Sequence, residues 1–175
     1  MFKKSALLLL YLCVSPVLPE EAGGARPVVG TAVDAVPAVI LNIPSGNAVL
    51  EKNKASVLAF YDLMFNQSRP AEAIHLYAGA TYTQHNPEVP DGKDAFIAFF
   101  EKMALDYPGK KVEFKRVFAD GVYVILHSDH FFPGWQGGHW AAMDIFRLDE
   151  HGKIVEHWDV LQKVPDRAAH SNGVF

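Results

Sequence analysis

Two stretches of the sequence carry a histidine and an aspartate two residues apart, His127-Ser128-Asp129 and His157-Trp158-Asp159, inside runs that are otherwise apolar. A third carboxylate, Asp144, sits between Met143 and Ile145, and His85 stands in "YTQHNP". A carboxylate among apolar neighbours is poorly solvated, so its pKa tends upward and it becomes a better proton acceptor at neutral pH. An imidazole held by such a carboxylate is fixed in tautomer and can donate to a carbonyl oxygen as that oxygen turns into an enolate. Base and donor together suit proton abstraction next to a carbonyl, or the activation of a water.

Whether these groups meet depends on strand faces. In the run from Ile154 to Leu161, residues Val155, His157, Asp159 and Leu161 share one face, and Ile154, Glu156, Trp158 and Val160 the other. Glu156 and Trp158 are therefore expected outward, at the surface or a subunit interface. In the run from Val122 to Phe132, Tyr123, Ile125, His127, Asp129 and Phe131 share a face. If His127, Asp129, His157, Asp159, Asp144 and His85 all point into one cavity, the sheet has a polar centre with apolar walls, the usual make-up of a small-molecule site. The structural alternative for His127 and Asp129 is the satisfaction of backbone groups near a strand end. His130 and His139 flank a hairpin and are open to either reading, whereas His75, His151 and His170 are expected in solvent.

The elements that position these residues can be read in order. Apolar residues recur at helical spacing from Asn47 to Asn66, Pro70 opens a short helix, and Thr81 to Asn86 alternates like a strand. Asp91 or Asp94 is placed to cap the next helix, whose Phe96, Ile97, Phe99, Phe100 and Met103 form a wide apolar stripe. Four strand-like runs follow, Val112 to Phe118, Val122 to Phe132, His139 to Leu148 and Ile154 to Leu161, joined by short Gly-containing turns. Such turns join antiparallel neighbours, so the runs form a meander. The expected class is α+β, with helices covering one face of a curved sheet.

Bulk properties limit the partners. The chain has 175 residues, half of them hydrophobic, and a net charge of -4, so it offers no basic field for nucleic acid or anionic lipid. A small organic partner is expected instead. Lys3 and Lys4 precede an apolar stretch, Ala6 to Val14, too short to span a bilayer and suited to a secretory signal, with cleavage expected after Ala25. Residues 26–45 read as a flexible linker or extended arm, 46–165 as the folded domain and 166–175 as a tail. Cys13, the single cysteine, lies in the signal, so the mature protein has no thiol for a disulfide, a nucleophile or a zinc site. His85, His127 and His157 come from separate strands and no HExxH is present, so no metal ion and no cofactor are expected. The expected location is periplasmic or secreted, with no membrane association once the signal is removed.

The series "YTQHNPEVPDGKDAFIAFF" and "MDIFRLDEHGKIVEHWDVLQ" resembles the SnoaL-like proteins, the polyketide-cyclase-like branch of the nuclear transport factor 2-like superfamily. The resemblance covers Asn47 to Pro165 and implies a cone-shaped α+β barrel, in which helices close over a strongly curved, mostly antiparallel sheet with a deep pocket at one end. It also implies a homodimer through the outer sheet face and cofactor-free acid–base chemistry by an aspartate, for which Asp144 looks like the counterpart. Limonene-epoxide hydrolase, a relative of similar shape, uses an arginine and an aspartate two apart on one strand and an aspartate late in the last strand. His127, in the arginine's place, and Asp129 are comparable to the first pair, and Asp159 resembles the last carboxylate. The expectation is an exported acid–base enzyme of aldol, isomerase or hydrolase type acting on a small hydrophobic molecule. Asp144 and Asp159 would be acid or base, and His85, His127 and His157 donors. The alternative is a binding or structural module without catalysis.

Overall fold

Asn47 starts the first helix, α1 (Ala48–Tyr61), because its side-chain oxygen accepts from the Val49 N–H at 2.9 Å and satisfies an amide that a helix start leaves open. The computed structural model describes residues 41–42 and 44–175. The signal sequence and nearly all of the linker lie outside the described residues. From Asp62 to Asn66 helix α1 widens into a π-helical turn, a local change often found where a helix serves a site. Asn66 ends this turn and clamps it to the sheet: its Oδ1 accepts from the Val112 N–H at 2.8 Å and its Nδ2 donates to the Val112 carbonyl at 3.1 Å. The side-chain amide thereby imitates a neighbouring strand and fixes how the end of α1 sits on the sheet.

Helix α2 (Pro70–Tyr77) begins with proline, as expected, and α3 (Lys93–Asp106) carries the aromatic stripe. The cap expected of Asp91 or Asp94 is not there. The capping position is Gly92, at φ 87° and without a side-chain bond, and the Asp91 carboxylate instead accepts from the backbone N–H of Gln84 at 2.9 Å. The chain turns through a left-handed conformation at residue 92 that favours glycine, and this aims Asp91 back at the strand.

The strands are β1 (Leu41–Asn42), β2 (Ala78–Gln84), β3 (Lys111–Asp120), β4 (Tyr123–Phe131), β5 (His139–Leu148) and β6 (Ile154–Lys163), in the spatial order β1-β3-β4-β5-β6-β2. The antiparallel meander β3 to β6 is the one expected, and β1 and β2 join its two edges in parallel. β1 was not legible, since two residues show no period; it pairs with Arg116 and Val117. Register shifts in β3 between Phe114 and Arg116, and between β5 and β6 after Arg147, mark bulges that bend the sheet. Val57, Phe60 and Met64 of α1 and its π turn, and Phe96 and Phe100 of α3, pack on Val117, Leu126, Phe146 and Ile154 of the sheet's inner face. Each such side chain contributes roughly 1.5–3 kcal/mol by leaving water.

Gly79 shows how closely β2 meets β6. A Cβ at this position would lie 2.6 Å from Val155 Cγ1 and 3.0 Å from Asp149 Oδ2. Gly79→Ala is expected to destabilise the fold by about 1–3 kcal/mol in chemical denaturation. An unchanged midpoint would mean that this edge is loosely packed.

Candidate active site

Asp144 lies in the middle of β5 on the inner face and is 1% exposed. A buried carboxylate is costly unless donors surround it, and three elements supply them. Tyr61, the last α-helical residue before the π turn, places its hydroxyl 2.7 Å from Asp144 Oδ1 and 3.0 Å from His157 Nε2. Ser128 of β4 donates to Asp144 Oδ2 at 2.9 Å. His157 of β6 brings Nε2 to 3.4 Å from Asp144 Oδ1.

The protons of this group can be counted. Gln84 Oε1 accepts the backbone N–H groups of His85 and Asn86, both at 2.9 Å, so it is the carbonyl oxygen that faces His157 Nδ1 at 2.9 Å and that nitrogen carries a proton. Tyr61 has one proton for two neighbours. In one arrangement imidazolium Nε2–H donates to the Tyr61 oxygen, and Tyr61 donates to the Asp144 carboxylate. In the other, a protonated Asp144 donates to Tyr61, which donates to a neutral His157. Both satisfy every contact, and they differ by two protons moved along one line. Burial pushes the Asp144 carboxyl up, but the hydrogen bond and charge of His157 and the Tyr61 hydroxyl outweigh it and hold the group below its usual value. This favours the ion-paired form.

A second branch leaves through Ser128, whose oxygen accepts from His130 Nε2 at 2.8 Å because its own proton goes to Asp144. Burial pushes the His130 imidazole below its ordinary value, so it is neutral and its Nδ1 keeps a lone pair. That Nδ1 is buried and has no hydrogen-bond partner among the described residues.

Asp159 stands directly opposite Asp144 in the β5–β6 register. Its two oxygens accept from Asn86 Nδ2 at 3.0 and 2.7 Å. Burial raises this carboxyl, helped by the charges of Asp144 and Glu88 and opposed by Asn86 and His157. Tyr61, Tyr82, His130, His157 and Asp159 border an inner cavity whose other walls include Phe65, Phe96, Phe100, Phe132 and Trp135. The cavity gives about 50 Å³ to the centres of water-sized molecules, room for roughly four waters at about 10–15 Å³ each. Trp135 and Glu88 also border two outer grooves, which places them at the cavity's mouth.

Three of the residues singled out in the sequence come together: one ligating atom from each of Asp144, His157 and Asp159 lies within 4.8 Å of the others. His157 and Asp159 face the cavity as expected, but Asp144 lies beneath Tyr61, Ser128 and His157 and does not border it. His127 and Asp129 are on the outer face, a correction to the expectation. Along β4 it is Val124, Leu126, Ser128 and His130 that are buried. His127 Nδ1 meets Arg116 at 2.9 Å, and Asp129 meets His139 at 2.7 Å and Lys115 at 3.2 Å. Turning Ser128 and His130 inward supplies the donor that Asp144 needs, and the outer pair finds Arg116 and Lys115 on β3 and His139 on β5. His85 is likewise outside the cavity: it binds Glu156 at 2.9 Å and stacks on Trp158 at 4.8 Å. Glu156 and Trp158 face outward as expected.

Tyr61, Tyr82, Gln84, Asn86 and Ser128 are the residues missed. Ser128-x-His130 was a visible signal, the other alternation of the same strand, whereas Tyr61 read only as an apolar helix position. A metal ion at Asp144, His157 and Asp159 would have to displace Tyr61, Ser128 or Gln84 from atoms already paired, so this is not an open ligand set.

Two outcomes follow from this wiring. Asp144→Asn is expected to cost about 3–5 kcal/mol of stability in urea denaturation, because it breaks a buried charge pair; a loss below about 1 kcal/mol would contradict the buried ion pair. Folded His130 resists a proton that the unfolded chain takes up below about pH 6.5, so stability falls as pH drops through that value. His130→Gln should flatten that slope in urea midpoints measured on either side of it.

The wider comparison agrees with this architecture. No curated protein matches the chain. A solved proposed polyketide cyclase from Bacillus cereus ATCC 10987 is 17% identical, with a TM-score of 0.58 over 72% of this chain and 85% of its own. A proposed SnoaL-like polyketide cyclase from Jannaschia sp. CCS1 is 16% identical, with a TM-score of 0.55 over 66% of this chain and 88% of its own. AclR, a proposed hydroxylase from Streptomyces galilaeus, is 19% identical, with a TM-score of 0.53 over 65% and 90%. At these identities the likeness is one of fold. The SnoaL-like domain family matches residues 57–157, more than half of the chain, from within α1 to the first residues of β6, and the protein belongs to that family.

Proposed function

We propose that this protein is a cofactor-independent acid–base enzyme that moves a proton next to a carbonyl in a small, mainly apolar organic molecule, by isomerisation or aldol-type ring closure. The observation that carries this reading is the pair of opposed aspartates. Asp144 is held as a buried carboxylate by three donors, whereas Asp159, its cross-strand neighbour, faces the cavity with a raised pKa. Separating two carboxyl groups in this way is how one site acquires a proton acceptor working near neutral pH.

In the proposed step Asp159 takes a proton from the carbon beside the carbonyl. Asn86 holds the carboxylate in place through both oxygens. Charge then builds on the carbonyl oxygen. Tyr82 lines the cavity, and burial, with the charges of Asp144 and Asp159, pushes its phenol far above the usual value, so it keeps its proton for donation to that oxygen. Protonated Asp159 returns the proton to another carbon in an isomerisation. In a ring closure the enolate carbon attacks a second carbonyl of the same molecule, and Asp159 protonates the resulting oxygen. His157, Tyr61 and Asp144 keep the charge beside Asp159 fixed throughout.

Export is part of the proposal, supported by Lys3 and Lys4 ahead of the apolar Ala6 to Val14. A homodimer through the outer sheet face is proposed on the partly exposed Phe131, Met143, Ile145 and Val160.

The test is hydrogen–deuterium exchange at carbons beside the carbonyl in a panel of small ketones, followed by proton NMR. Exchange should rise with pH through the raised Asp159 pKa and level off once the carboxylate is ionised. Asp159→Asn should lower it by about 10²–10⁴-fold. Binding of a ketone without any catalysed exchange would make the protein a carrier and sink the catalytic reading.

A further inference from the structure

His130 is a buried group that the chemistry above does not use. Its side chain is 3% exposed and is gripped edge-on by Tyr61, Phe65 and Phe132, with ring centroids 6.3, 5.3 and 5.3 Å away. Nε2 is committed to Ser128, which is itself committed to Asp144, so the ring cannot turn over without leaving Ser128 unserved. Nδ1 is then an acceptor with no partner among the described residues. Leaving such a group unpaired in the interior is unfavourable, so a donor brought by a ligand or a water is needed to complete it. The ring borders the same cavity as Asp159.

We propose that the molecule bound in this cavity carries a hydroxyl or enol O–H and that His130 accepts its hydrogen bond through Nδ1. The inference rests on the proposed function and narrows it, because the substrate becomes a compact hydroxycarbonyl compound or its enol. Asp159 attends to the C–H bond and His130 to the O–H. No proton is transferred to His130 in this scheme; it reads the hydroxyl and orients the carbon beside it. The chain from His130 through Ser128, Asp144 and Tyr61 to His157 sets the proton on Nε2, and thereby leaves Nδ1 as the acceptor. The tautomer of this histidine is thus fixed through Ser128 and Asp144, which do not border the cavity.

The experiment compares pairs of equal size that differ only in the hydroxyl: hydroxyacetone against butanone, and phenol against toluene. Each is titrated into the full chain carrying ¹⁵N-labelled histidine, and the His130 Nδ1 resonance is followed. The hydroxylated member of each pair should bind at least about tenfold more tightly and move the Nδ1 resonance, while the other leaves it in place. His130→Asn, whose side-chain oxygen stands close to where Nδ1 was, should keep the preference, and His130→Phe should lose it. Equal affinities within both pairs, an Nδ1 resonance indifferent to the hydroxyl, or a preference that survives His130→Phe would overturn the assignment. If His130→Phe does not fold, the wild-type resonance decides. Binding without discrimination removes only the role of His130, whereas failure of all four compounds to bind removes the small-molecule site as well.

Discussion

The interior is organised around one charge. Asp144 is inside the sheet's concave face, where an unpaired carboxylate would cost several kcal/mol, and no single element could satisfy it alone. Tyr61 reaches it from the end of α1, Ser128 from β4 and His157 from β6. Each contact works only if its element is in register. The inward face of β4 must be the one with Ser128, the inward face of β6 the one with His157, and α1 must end where the Tyr61 hydroxyl meets Asp144. The π turn and the Asn66 clamp on Val112 set that last position. A polar network of this kind gives uniqueness rather than bulk stability, and here it selects one strand face out of two.

The same requirement explains why the apolar contacts are so aromatic at this end. Tyr61 packs edge-to-face on Phe65 and Phe146, each 5.1 Å away, and these rings hold the hydroxyl in its one useful place. Phe65 and Phe132 in turn hold His130. The cavity is what remains between these rings and Trp135, so the apolar wall and the polar floor are built from the same residues. Positioning the charge and shaping the pocket are one task.

Much of this could be read from the sequence and some of it could not, for identifiable reasons. In β6 His157 and Asp159 point where the alternation puts them, whereas Ile154, expected outward with Glu156 and Trp158, is turned into the core by the bulge opposite Arg147. In β4 both phases mix apolar and polar residues: Tyr123, Ile125, His127 and Asp129 against Val124, Leu126, Ser128 and His130. Chemistry by residue type favours the first, but the neighbouring strand decides for the second, since Asp144 needs a donor and His127 and Asp129 have Arg116, Lys115 and His139 outside. Tyr61 was hidden because a tyrosine on an apolar helical stripe looks like core, and here it is core with a functional tip. His85 was misplaced because β2 runs parallel to β6, a pairing between distant segments that no local pattern reveals.

The difference between the two aspartates follows from their positions. Asp144 and Asp159 are the same residue type, directly opposite each other on adjacent strands. Two carboxylates at such a distance disfavour each other's ionisation. The fold resolves this by giving three donors to Asp144 and one amide to Asp159, so the ionised state goes first to the residue that is walled in. Burial raises the proton affinity of Asp159, the member that meets the cavity, and the charge kept on Asp144 adds to it. A neutral side chain in place of Asp144 would leave Asp159 without its repelling neighbour, and a more acidic Asp159 would be the weaker base. The buried aspartate thus adds to the proton affinity of a carboxyl it does not touch, while burial of that carboxyl supplies the larger part.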